Sequence, residues 1–179
     1  MHNYRDGGET ATVNLTHSVD RIEVMVDAAV LVGRADKDLH FSSLELGTTP
    51  RVADVLIQAN AAQGETRSHG FFFKADADRN GGVLGLPIRK QGEGYEHLIH
   101  GSAEVLFVDV NNNFRTIGAL SASPEEPAAD SCEVSCVDWY GNARPIFYKG
   151  RVFALLGYEL VEGHRYGELD RVDMSSVLR

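Results

Sequence analysis

Period-two alternation of apolar and polar positions is the dominant pattern in this chain. In Arg21-Ile-Glu-Val-Met-Val26, Ile22, Val24 and Val26 alternate with other residues, which predicts a half-buried strand. Ala28 to Gly33 is a continuous apolar run of the buried-strand kind. Leu39 to Leu46 predicts the next strand, and Val52 to Ile57 is short enough to favour a strand over a pair of helical turns. Further strands are expected at His69–Ala75, Val83–Ile88, Ser102–Val110 and Phe114–Leu120, with a shorter one at Val13–Leu15. Pro87 cannot donate to a ladder, so it belongs at an edge or a strand end. Ile146-Phe-Tyr148 and Val152–Leu156 flank Lys149-Gly150 and read as a hairpin. Gly163–Gly167 then reads as a turn before a closing strand at Leu169–Met174.

No stretch of ten or more residues carries apolar positions at i, i+3, i+4 and i+7, so the pattern predicts an all-β chain of roughly a dozen short strands. These strands fall into about three blade-like sets joined by longer polar links. Phe71–Ile88 followed by Ser102–Val110 parallels Ile146–Gly157 followed by Leu169–Met174. Sets of this kind predict part of a β-propeller, with a β-sandwich as the alternative. The expected division is a loose leader over 1–19, a partial propeller over 20–174 and a tail over 175–179.

Composition narrows the function classes. At 179 residues the chain can bury a real core, and 18 glycines suit a turn-rich β protein. A net charge of −9 argues against nucleic-acid or anionic-membrane partners, which need clustered Lys and Arg. No apolar run approaches the ~20 residues of a membrane helix, so no transmembrane segment is expected.

Three groups of residues carry a family resemblance. They are Arg144-Pro-Ile-Phe-Tyr-Lys-Gly-Arg-Val-Phe-Ala-Leu155; Glu65-Thr-Arg-Ser-His-Gly-Phe-Phe-Phe73 with Gly82-Val-Leu-Gly-Leu-Pro-Ile88; and Val105-Leu-Phe-Val-Asp109 with Phe114-Arg-Thr-Ile-Gly118. Together they resemble the C-terminal β-propeller domain of certain secreted or membrane-anchored bacterial and archaeal proteins. The resemblance implies a propeller fold and a secreted or cell-envelope setting, with any export signal outside this chain. It implies no reaction. A closed propeller needs about four blades or more, so the expected partners are the remaining blades or a second copy of the chain.

Candidate chemistry is sparse. Asp76-Ala-Asp-Arg-Asn-Gly81 opens like a calcium loop, with Asp76, Asp78 and Asn80 at the alternating ligand positions. Leu84 and Pro87 stand where the later ligands belong, and the plainer reading is a hairpin turn. Calcium is therefore a possible cofactor and no other is expected. Cys132 and Cys136 are the only cysteines, and a small disulfide loop fits an envelope setting. Zinc would need His97, His100 or His164 as well. Two polar segments precede aromatic strands and form a candidate ligand set: Glu65, Arg67 and His69, and Trp139, Tyr140 and Arg144. An indole, a phenol, two guanidinium groups and an imidazole suit a carbohydrate, a peptide or a small anion. The plainer reading has them supporting the scaffold. Two functions follow: a non-enzymatic binding or interaction module, and a lactonase- or glycosidase-like hydrolase using a central metal or paired carboxylates.

Overall fold

The computed structural model describes residues 11–24, 28–47, 49–61, 70–77, 81–89, 103–111, 113–121, 143–156, 159–166 and 171–178. They form twelve strands in chain order. The first sheet contains β1 (Arg21–Val24), β2 (Ala28–Ala35), β3 (Asp38–Glu45) and β4 (Arg51–Gln58). The second contains β5 (Phe72–Ala75), β6 (Gly82–Arg89), β7 (Ala103–Val110) and β8 (Phe114–Ser121). The third contains β9 (Ala143–Tyr148), β10 (Arg151–Leu156), β11 (Glu159–Tyr166) and β12 (Arg171–Leu178). Each sheet is an antiparallel four-stranded meander, so the fold is all-β. Among the described residues no helix is long and apolar enough to cross a membrane.

Most expected strands are present, and three expectations are corrected. Gly163 is not in a turn but in β11, at an irregularity of the β11–β12 ladder. The closing strand runs on from Met174 to Leu178. Val13–Leu15 is not a strand; it belongs to an irregular segment that packs on the first sheet. Elsewhere local chemistry holds. Lys149 and Gly150 both have positive φ and form the two-residue turn between β9 and β10. Pro87 is tolerated because β5 reaches only as far as Gly85, leaving β6 paired there with β7 alone.

The three sheets are variants of one unit. In each, the ladder between the third and fourth strands shifts register once, and the fourth strand carries the extra residue. Asp54 and Val52 pair with Ser43 and Leu44, skipping Ala53. Gly118 and Thr116 pair with Phe107 and Val108, skipping Ile117. Ser176 and Met174 pair with Glu162 and Gly163, skipping Ser175. A bulge of this kind bends the strand and strengthens its twist.

The sheets stack in series, and the second one is buried on both faces. Leu84, Leu86, Ile88, Leu106, Val108 and Val110 meet Val30, Val32, Leu39 and Phe41 of the first sheet. The intervening Val83, Val105 and Phe107, with Ile117 and Leu120, meet Ala143, Val152, Ala154, Leu156 and Val161 of the third. Phe107 and Phe147 touch edge to face at 6.0 Å. Pro145 lies over Gly85, where a β-carbon would come within 2.6 Å of the proline Cβ. Corresponding strands lie together: Asp54 on β4 bonds Phe114 on β8, and β8 runs beside β12. The first two sheets are also joined by Arg21, whose guanidinium carbon sits 4.3 Å from the Phe71 ring centroid. The two junctions therefore repeat one stacking step.

Candidate functional site

The two outermost sheet faces are the surfaces this stack leaves uncovered by another of its sheets. On the first sheet the register defines three rows across that face. Ile22, Leu31, Ser42 and Val55 form one, Val24, Ala29, Leu44 and Val52 the second, and Gly33, His40 and Ile57 the third. Period-two alternation puts these residues opposite Val30, Val32 and Phe41, which face the second sheet.

Residues 11–20 cross the middle of this face as a strap. Val13 and Leu15 pack on Ala29, Leu31 and Leu44, while Thr12, Asn14 and Thr16 point to solvent. The Ser18 and Asp20 N–H groups donate to the carbonyls of Arg34 and Val32 at 2.9 and 2.8 Å. The Ser18 hydroxyl accepts from the Arg34 N–H at 3.0 Å, and Arg34 Nε donates to Asp20 Oδ2 at 2.9 Å. Gly33 makes the crossing possible, because a β-carbon there would fall on the Ser18 carbonyl.

Beneath the strap lies a polar cluster of His17, His40 and Ser42. The His17 and His40 rings stack at 5.3 Å between centroids. Ser42 Oγ lies 2.8 Å from His17 Nε2, and His17 Nδ1 lies 2.6 Å from the Ser18 carbonyl oxygen. A carbonyl only accepts, so His17 donates from Nδ1 to Ser18 and shares a second hydrogen bond, at Nε2, with the Ser42 hydroxyl. Ser42 and His40 are buried, and His40 Nδ1 has no hydrogen-bond partner among the described residues. The hydroxyl–imidazole pair thus anchors the strap to β3. A period-two reading of Leu39–Leu46 already puts His40, Ser42 and Leu44 on one face. Nothing in the sequence points to His17, which is 25 residues from Ser42.

The strap covers the centre and leaves the flanks open. Val24 is 71% and Ile22 59% exposed on β1, and Ile57 is 52% and Val55 44% exposed on β4. Val30 and Val32 are fully buried against the second sheet because they point to the opposite side of β2.

At the other end, Ala143, Val152, Ala154 and Leu156 face the second sheet. The alternating positions turn outward: Arg144, Ile146 and Tyr148 on β9, Arg151, Phe153 and Leu155 on β10, and Leu160 and Glu162 on β11. Arg151 grips Glu162 through two hydrogen bonds of 2.7 and 2.6 Å and lies 4.7 Å over the Phe153 ring. The hydrogen bond from Arg151, reinforced by its charge and that of His164, holds the Glu162 carboxyl below its ordinary value. The same bond raises the Arg151 guanidinium. Tyr148 is 56% exposed, with the Lys149 ammonium 5.3 Å from its ring centroid.

Of the residues singled out from the sequence, Arg144 is inside β9 opposite Leu155, not in a loop before the strand. Asp76 lies in the β5–β6 connection, where its N–H donates to the Gly81 carbonyl at 3.0 Å. Glu65, Arg67, His69, Asp78, Asn80, Cys132, Cys136, Trp139 and Tyr140 lie outside the described residues. Among the described residues no group of three or more His, Cys, Asp or Glu is placed to hold a metal ion. No family model matches the sequence, and no curated protein and no solved structure matches the chain.

Proposed function

We propose that this chain is a non-enzymatic interaction module made of three successive β-propeller blades, and that the outer face of its first sheet engages a further β-sheet. The observation that carries the reading is the exposure of Ile22, Val24, Val55 and Ile57 in rows whose remaining members form a packing face. Scattered surface apolar residues are ordinary, but four large ones on the two flanks of one sheet face mark an interface. The stacking repeat supports a sheet as the occupant, because the chain already covers both faces of its second sheet in that way. Three meanders with matching bulges support the propeller reading, and the family resemblance adds a cell-envelope setting to the proposal.

Dye binding tests the surface. Dilute native protein should bind the apolar dye ANS, and Val24→Lys and Ile57→Lys should each reduce that binding without lowering Tm. Native protein that binds no dye, or binds it equally well in both variants, overturns the reading.

A further inference from the structure

We infer that the sheet received by this face belongs to a second copy of the chain, and that two copies close head to tail into a ring of six sheets. This rests on the interaction-module reading and names its partner. Both internal junctions have the same polarity: one face of a sheet meets the opposite face of the next, with fourth strands alongside one another. The outer face of the first sheet corresponds to the receiving face of the second and third. The outer face of the third corresponds to the face that the first two present to their successors. One chain therefore carries both halves of the junction it makes twice internally, one at each end.

The two end faces also match in chemistry. The strap offers Thr12, Asn14 and Thr16 along the centre of one face, and the Arg151–Glu162 pair lies on the two central strands of the other. On the first strand, Ile22 and Val24 turn outward at one end of the stack, and Ile146 and Tyr148 at the other. Stacking first strand on first strand puts Ile22 and Val24 against Ile146 and Tyr148, and sets the polar outer side of the strap over central strands where Arg151 and Glu162 stand beside Phe153, Leu155 and Leu160. Two first-sheet faces set against each other would instead press strap on strap and reverse the stacking order.

Head-to-tail contacts give open fibres unless the rotation closes them. Propellers close with about four to eight blades. The three sheets formed by the described residues fall short of that range, and two copies of them fall within it. A twofold axis then makes both junctions identical, with the third sheet of each copy on the first sheet of the other.

Light scattering across a concentration series should give twice the chain mass. Val24→Glu spoils one end face and Tyr148→Glu the other, so each alone should halve the mass. An equimolar mixture of the two variants should recover dimer, because one junction between them is unaltered. Unchanged Tm in each variant shows that the fold is kept. A Tyr148→Glu protein that remains dimeric means first sheet on first sheet and overturns the proposal, as do open-ended polymers. A wild-type monomer at every concentration overturns the second copy as partner. ANS binding by that monomer, lost in Val24→Glu, would leave the interaction-module reading standing, and its absence would remove both.

Discussion

The Asp54 carboxylate accepts a hydrogen bond from the Phe114 backbone N–H at 2.7 Å, across 60 residues of sequence. Asp54 lies beside the skipped Ala53 on β4, and Phe114 opens β8 while packing its ring 6.2 Å from Phe41. One side chain therefore fixes the fourth strand of the first sheet to that of the second. A hydrogen bond to a charged acceptor contributes about 1.5–3 kcal/mol. Asp54→Ala should lower the unfolding free energy by roughly that amount, and Asp54→Asn, which keeps an acceptor, by about half as much. Urea titrations of the three proteins measure it. Equal stability of wild type and Asp54→Ala would show that the stacking step does not depend on this bond.

Gly33 supports the strap in a different way, by leaving space. A methyl group at this position collides with backbone, which cannot swing aside as a flexible side chain would. Gly33→Ala should therefore lift residues 17–18 and cost about 1–3 kcal/mol, the usual range for overpacking. The distinguishing readout is local. Amide exchange at Ser18 and Asp20 should accelerate, because their bonds to Arg34 and Val32 are broken. ANS binding should rise as Ala29, Leu31 and Leu44 lose their cover. Unchanged exchange at those two amides would contradict the account.

The fold was legible where alternation was clean. Val83-Leu-Gly-Leu-Pro-Ile88 reads as a continuous apolar run because β6 lies in the sheet buried on both sides, so neither set of alternate positions needs to be polar. Val52–Ile57 does not alternate in residue type, with Val55, Leu56 and Ile57 consecutive, so only its shortness favours a strand; the alternation is in the burial of the half-covered β4. The strand at Glu159–Tyr166 was missed because Glu162, Gly163 and His164 interrupt the pattern at its bulge. There an irregular register and the Arg151 partner, not a turn, explain the polar residues. Arg144 was misplaced for a related reason, since an outward-facing residue at the start of β9 looks like the end of a loop. The His17–Ser42 anchor was illegible because it joins an irregular segment to a strand across tertiary structure, and no periodicity records such a contact.

Phe107 measures how strongly the second and third sheets are joined. It is fully buried on β7, opposite Gly118 and edge to face with Phe147. Gly118 presents no side chain to fill the space that truncation would leave, so the site collapses poorly. Phe107→Ala should cost about 3–5 kcal/mol. Phe72, on the short edge strand β5 and partly exposed, should lose well under half as much on the same change. Thermal and urea unfolding of the two variants compare them directly. A similar loss for both would mean that the core between the second and third sheets is not packed as described.

Glu162 supplies a pH signature on the third sheet. Its carboxyl is held below the ordinary glutamate range, first by the hydrogen bond from Arg151 and then by the charges of Arg151 and His164. On acidification the unfolded chain therefore takes up this proton before the folded chain does. The resulting stabilisation is whole above the unfolded glutamate range of about pH 4. It declines as pH falls, and is gone once the folded carboxyl is itself protonated. Glu162→Gln cannot titrate and should lack this decline. The Tm gap between wild type and Glu162→Gln should thus be widest near neutrality and narrow steadily below about pH 4. Because Arg151 is half exposed, the neutral-pH gap should be small and shrink further in molar salt. Arg151→Gln breaks the same pair from its other side and should reproduce that acid profile. A gap that stays constant from neutral to acid pH would show that Glu162 acts through packing, not through its charge.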